Sequence, residues 1–204
     1  MKVKKITPSE KHKDVFYADF EEGGSLRLGV AQIADFSLFT GRELTDEEFA
    51  ELEASASRWN CLSRALRLAG YRPLSRKELT DKLLQKGESP ESAEYAADRL
   101  EAMGILNDRD YGFMIVRHYA AKGYGAARVR NELYSRGVPK EYWDDALAEM
   151  PDQTDTISHL MDLRLKSDDP DRKELKKLSE YLYRRGFSWD EIREAMDSRF
   201  GDDF

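Results

Sequence analysis

Cysteine is nearly absent. Cys61 stands alone among 204 residues, so no intramolecular disulfide can hold the fold, and the usage suits a reducing cytoplasm. Cys61 lies in an apolar helical stretch and reads as a core residue. Histidine is scarce as well: His12, His118 and His159 lie far apart with no cysteine or acidic cluster at ligand spacing, so no metal site is expected. No run of about 18 apolar residues occurs, which argues against a membrane span. The basic start, MKVKKITPSEKHK, is not followed by an apolar stretch, so no secretory leader is expected. Phosphate-cradling loops of the GxxxxGKS/T or GxGxxG type are missing, and so are HExxH, GxSxG and any Cys/His dyad. Gly123-Tyr124-Gly125 is too short a match and joins helix to helix. Asp144-Asp145 and Asp168-Asp169 fall on a helix face and in a loop, where paired carboxylates are solvated. No catalytic, cofactor-binding or metal-binding residue is therefore expected.

Charge is plentiful, with 33 Lys/Arg against 40 Asp/Glu and a net charge of −7. It is unevenly spread. Residues 1–57 hold 7 basic and 12 acidic side chains, residues 58–150 hold 16 and 14, and residues 151–204 hold 10 and 14. Within 109–136 the balance is 6 basic to 2 acidic. Such a patch can meet a polyanion or an acidic protein surface, or can simply be a solvated helix face.

Only the first 40 residues look strand-like. Val15, Tyr17 and Asp19 alternate with Phe16, Ala18 and Phe20, then Glu-Glu-Gly-Gly intervenes, then Leu26, Leu28 and Val30 alternate again. Aromatic and branched residues around a Gly-Gly turn predict a β-hairpin. A lone hairpin is marginal in water, so it should pack on something, with residues 2–7 available as a third strand. From Thr45 onward helices and short loops are expected. Thr45-Asp46-Glu47-Glu48 is a capping box that should open a helix over 46–70, and Ser75–Glu78 and Ser188–Glu191 repeat the pattern. Ser89-Pro90 places proline at a first helical position.

The strongest signal is an internal repeat. Gly87, Gly137 and Gly186 are spaced by 50 and 49 residues. Leu83, Leu133 and Leu182 stand four before them, Leu79, Val129 and Leu178 eight before, and Lys86, Arg136 and Arg185 one before. Ala96, Ala146 and Ala195 stand nine after. Each unit is a helix ending in basic-Gly followed by a helix with a small residue at its packing face. A further helix precedes each pair, about 58–70, 108–122 and 155–167. The expected fold is mostly α: three tandem three-helix repeats in an elongated, curved array, preceded by a small β-hairpin segment. The divisions are 1–44 for the hairpin segment, 45–60 for the start of the linking helix, then 61–106, 107–150 and 155–200. The third repeat has drifted most, with Ser167-Asp168-Asp169-Pro170-Asp171 between its first two helices.

The centre of the array is 105–138. Asn107 and Asp108 can cap its first helix, Tyr111, Ile115 and His118 define an inner face, and Gly123 and Gly125 form an elbow. Val129 and Leu133 start the next inner face. Arg109, Arg117, Lys122, Arg128 and Arg130 lie on the outer faces, and Tyr124 and Tyr134 are the aromatics available for exposure. Exposed aromatics beside arginines suit a protein interface or the stacking of single-strand bases.

These residues closely resemble the RecX family, regulators of the RecA recombinase. The match is carried by Ala65-Leu66, Pro73, Ser75, Glu78-Leu79, Lys82-Leu83 and Lys86-Gly87. It continues through Leu100, Gly104, Leu106-Asn107-Asp108, Tyr111, Lys122-Gly123, Gly125, Arg128-Val129, Glu132-Leu133 and Gly137-Val138. The runs are similar to the family's L-D-D-x-x-Y-A, K-G-x-G and I-x-x-E-L-x-x-K-G signatures, with Asn107 in place of the first Asp and Gly112 in place of Ala. The resemblance covers about 60–150 well, 155–200 loosely and 1–57 hardly at all. It implies a non-enzymatic, cytoplasmic, monomeric protein that lies in the groove of the RecA filament on single-stranded DNA. There it usually restrains ATP hydrolysis, strand exchange and coprotease activity. The partner-binding candidates are Arg117, Lys122, Tyr124, Arg128, Arg130, Tyr134, Lys82 and Lys86. The rival readings are a helical nucleic-acid-binding module acting on DNA directly, against which the net charge argues, and a scaffold for another partner. Weak direct DNA contact is compatible with either.

Overall fold

The computed structural model describes residues 1–165 and 170–201. Among these are three strands and ten α-helices, in two compact units. One unit is Met1–Pro73 with Glu78–Leu106, and the other is Leu74–Lys77 with the chain from Asn107 on.

In the first unit, β1 (Val3–Pro8), β2 (Val15–Phe20) and β3 (Ser25–Gly29) form an antiparallel sheet in sequence order. The anticipated hairpin turns at Gly23 and Gly24, both at positive φ, and the third strand is β1. Val3, Ala18, Phe20 and Leu28 on one sheet face bury against Leu44, Leu52 and Ala56. Phe20 and Phe49 meet edge to face at 5.0 Å. The sheet thus covers the first half of α2 (Asp46–Tyr71), which Thr45 and Glu48 cap reciprocally at 3.1 and 2.9 Å. Cys61 is fully buried in α2, and burial pushes its thiol up to about 11. The strand expected to run through Val30 stops at Gly29, where α1 (Val30–Asp35) begins. The Gln32 side chain accepts the Gly29 N–H at 3.0 Å, and the Trp59 ring lies where a Cβ on residue 29 would sit. Local capping and a close aromatic outweigh the alternation. The unit closes with α3 (Arg76–Gln85), whose first two residues cluster with the second unit, and α4 (Pro90–Ala102), capped by Ser89 with Pro90 in its first turn. Ala93, Ala96 and Ala97 are buried on α4, and small residues at such positions let helices approach closely.

The second unit holds α5 (Asp108–Ala120), α6 (Ala126–Ser135), a 3-10 turn at Lys140–Tyr142 and α7 (Trp143–Leu147). These are followed by α8 (Gln153–Arg164), α9 (Arg172–Arg184) and α10 (Trp189–Phe200). Asn107 caps α5 and Ser188 with Glu191 forms the anticipated box on α10. A further box, Asp171 with Glu174, opens α9. Helix α8 starts two residues before the expected 155 because Asp152 caps it through the Thr154 N–H at 2.7 Å. The Asp168-Asp169 pair and most of the break expected around it fall outside the described residues. His118 does not belong to the inner face of α5. That face is Tyr111, Gly112, Ile115 and Val116, with Tyr119 partly buried, and His118 is exposed. At about 100° per residue the buried positions 111, 112, 115 and 116 centre on an arc that Tyr119 falls within, whereas His118 falls about 20° outside Tyr111, beyond the edge of that arc.

The repeat has a mechanical basis. Gly87, Gly137 and Gly186 sit at φ +84°, +68° and +95°, a left-handed helix end that glycine enters freely. The N–H of the next residue returns to the carbonyl of the repeated leucine: Glu88 to Leu83 at 3.2 Å, Val138 to Leu133 at 3.0 Å and Phe187 to Leu182 at 3.3 Å. Each leucine side chain is fully buried. One residue therefore fills the core and caps the helix, which explains its fixed distance from the glycine.

Candidate partner-binding surface

The elbow after α5 and the turn after α9 fit together. Helix α6 opens at Gly125 without a side-chain cap. The Gly125 N–H donates to the Arg185 carbonyl at 2.9 Å and the Ala127 N–H to the Gly186 carbonyl at 3.1 Å. Unsatisfied donors at one helix start thus meet unsatisfied acceptors at another helix end, with opposed dipole ends in contact. The approach is close enough that a Cβ on Gly125 would strike the Gly186 backbone, and one on Gly186 would strike Arg128. The same relation recurs one repeat earlier. The Ser75 hydroxyl donates to the Arg136 carbonyl, the Arg76 N–H reaches the Asp108 carboxylate at 2.7 Å, and Lys77 covers Gly137.

Around this junction lie three of the sequence-nominated residues. Lys122 is exposed, with its ammonium 5.9 Å from the Tyr119 ring. Its carbonyl accepts from the Arg185 guanidinium. Tyr124 is not the free aromatic that its place between two glycines suggested. It is half-buried, packs on the repeat core and lies under Arg185, whose guanidinium carbon is 4.6 Å from the ring centre. Arg128 is exposed on the first turn of α6, its backbone against Gly186.

Arg117 lies elsewhere, on the outer face of α5. There Arg109, Phe113, Met114, Arg117, His118 and Glu149 line an open groove of about 580 Å³. Its guanidinium pairs with Glu149 at 2.7 Å, and that hydrogen bond holds it above the ordinary arginine range. Arg130 lines a separate shallow groove with Leu147, Met150 and Gln153. Tyr134 is 71% exposed. Lys82 is half-buried and Lys86 exposed, both on the first unit. Val129 and Leu133 point inward and are fully buried, as the helical wheel requires. The eight nominated side chains are thus spread over an elbow, three separate grooves and single surface positions.

Sequence reasoning passed over three neighbours. Arg185 was visible as a repeat residue but not as the clamp on the elbow. Tyr183 and Trp189, each about half exposed, stack at 4.9 Å. Tyr183 occupies the position equivalent to Tyr134, three before the glycine, a signal already present in the repeat. Among the described residues no helix is long and apolar enough to cross a membrane, and no group of three His, Cys, Asp or Glu could hold a metal ion.

Three family models match in tandem: the first three-helix domain of RecX over residues 61–100, the second over 107–147 and the third over 153–196. The regulatory protein RecX of Xanthomonas oryzae pv. oryzae is 37% identical over 136 residues, 66% of this chain and 85% of that one. The regulatory protein RecX of Bacillus subtilis is 29% identical over 200 residues, 96% of this chain and 76% of that one. The likeness therefore extends into the third repeat and the N-terminal segment, beyond what the motifs alone carried. Among solved structures, a crystal structure of regulatory protein RecX superposes with a TM-score of 0.75 at 20% identity, covering 96% of this chain and 98% of the other. RecX from Lactobacillus salivarius superposes with a TM-score of 0.64 at 23% identity, covering 71% and 97%. With its repeats matched one by one and in order, the chain belongs to the RecX family of regulatory proteins.

Proposed function

We propose that this protein is a non-enzymatic modulator, in the usual case an inhibitor, of the RecA recombinase. It acts in the cytoplasm as a monomer, in recombination, DNA repair and the SOS response. It binds in the groove of the RecA filament on single-stranded DNA and restrains ATP hydrolysis, strand exchange and coprotease activity. Family membership supports the reading, and the observation that carries it is the stacking of repeats through backbone contacts at the Gly125–Gly186 junction. That stacking leaves the side chains of Lys122, Arg128 and Tyr134 on the outside, available to a surface larger than any pocket. A protein bound in this way needs no reacting group, since favouring one filament state over another requires only differential binding.

Filaments assembled on single-stranded DNA with ATP should capture the protein from solution, and ATP hydrolysis should fall as the protein is titrated in. Unchanged hydrolysis together with no capture would refute the reading.

A further inference from the structure

The three basic-Gly turns do not share one environment. Gly137 is covered by Lys77 and Gly186 by Arg128, whereas a Cβ on Gly87 would meet nothing within 4 Å. The Lys86–Gly87 turn instead opens onto a groove of about 870 Å³ within the first unit. One wall is the N-terminal segment, with Ser9, Lys11, His12, Tyr17 and Arg27. The other is α2 and the end of α3, with Asn60, Arg64, Arg67 and Lys86.

The charge in this groove is one-sided. Among the described residues that line it, the only acid is Glu88, which is paired with Arg64 at 2.8 Å. Arg27 is held in place, bonded to the Asn60 side chain and lying 4.8 Å from the Trp59 ring centre. Lys11, Arg67 and Lys86 are exposed and have no acidic partner among the described residues. Of the nearby acids, Glu21 is paired with Lys2 and Glu48 with Arg42. Glu10 and Asp14 share the loop of Lys11 but do not line the groove. Unneutralised cations facing one another across a groove repel, so the arrangement favours an anion between them.

We infer that this groove binds the phosphate backbone of a single-stranded nucleic acid. Arg67, Lys86 and Lys11 would meet phosphates, Ser9 would supply a further polar contact, and the Tyr17 ring, 40% exposed, would stack a base. A positively charged groove with an aromatic at its side is the usual means of holding a single strand without reading its sequence. An acidic protein partner fits less well, because the groove offers no apolar pocket to anchor an interface core. This site lies on a different unit from the Lys122–Arg128 face and is testable without a recombinase.

The test is fluorescence anisotropy of the full chain with a labelled oligothymidylate of about 15 nucleotides at about 50 mM salt. The wild type should bind and weaken steeply with salt. The Lys11→Glu, Arg67→Glu, Lys86→Glu triple variant should lose at least about tenfold in affinity, while the charge-matched Lys173→Glu, Lys176→Glu, Arg193→Glu variant at exposed positions of the third repeat should retain binding. If the charge-reversed triple variant does not melt cooperatively, the three glutamine replacements should reduce the salt slope by about 2, three phosphate contacts at about 0.7 each. Wild type that does not bind the oligonucleotide, or a folded triple variant that binds as well as wild type, overturns the proposal. Binding of polyglutamate instead of the oligonucleotide overturns it in favour of an acidic protein.

Discussion

Arg185 donates through Nε to the carbonyl of Gly123 at 2.8 Å. Its guanidinium also lies over Tyr124, so one side chain joins the end of α9 to the elbow after α5. The equivalent Arg136 does something else: it folds back onto Glu132 at 2.8 Å and the Tyr111 hydroxyl at 2.9 Å. Lys86, the third member, lines an open groove. One sequence position therefore clamps a junction, braces its own repeat or faces solvent, according to what the neighbouring chain brings to it.

Replacing Arg185 with Lys keeps the charge but loses the planar fork and the stack on Tyr124. We expect a loss of about 1 kcal/mol concentrated at the junction. Hydrogen exchange should show it first at the Gly125 and Ala127 amides, which donate to the Arg185 and Gly186 carbonyls. Unchanged exchange there would mean that the backbone contacts hold without the clamp.

Gly186→Ala and Gly87→Ala share a left-handed φ, and each should pay about 1–2 kcal/mol for that conformation. Only at Gly186 would the new Cβ also strike neighbouring backbone, at Arg128. The urea midpoint should therefore fall clearly further for Gly186→Ala. Equal shifts would contradict the close approach.

Leu133→Ala should cost about 2–5 kcal/mol, since a fully buried side chain leaves a cavity in a packed interface. Leu182 is equally buried among Leu178, Phe187 and Ile192, so Leu182→Ala belongs in the same range despite the drift of the third repeat. Denaturant titration of both variants checks this. A midpoint unmoved in either would break the equivalence of the repeats.

The Glu132 carboxyl feels opposing influences. Burial raises it, while hydrogen bonds from Tyr119 and Arg136 lower it, and the net direction is below the ordinary 4.5. A carboxyl depressed in the folded state contributes stability that is complete above its unfolded value and is lost as pH falls through the folded one. Wild type should accordingly lose stability on acidification below about 4.5 more steeply than Glu132→Gln. Parallel acid limbs in the two melting profiles would show that the network contributes nothing to the pH dependence.

Arg117, Lys122, Arg128 and Arg130 are exposed, and surface charges contribute little to folding even when paired, as Arg117 is with Glu149. Changing all four to Glu should leave the helical spectrum and the melting temperature nearly intact. It should sharply reduce inhibition of filament ATP hydrolysis, because such charges steer and hold an acidic partner. Full inhibition by the folded variant would move the contact to the first or third repeat.

The helices were largely legible in the sequence because the forces that define them are local. A Thr45 or Ser188 cap, a Leu four before a left-handed glycine and a 3.6-residue apolar period each act within a few residues. The same locality let the hairpin be read from its Gly-Gly turn. The end of β3 lay beyond local reading because Gln32 and Trp59, the latter 30 residues from Gly29, decide where that strand stops. How much of Tyr124 is covered could not be read locally, because Arg185 reaches it across about 60 residues of chain. Segment charge misled in a similar way. The acidic N-terminal segment supplies Lys11, His12 and Arg27 to a basic groove, since charge counted along the chain is blind to which side chains share a face. What the sequence determined by itself was helices, caps and their periodic order. Which of the equivalent residues became clamp, brace or open surface was decided by contacts between segments far apart in the chain, and those exist only once the repeats are stacked.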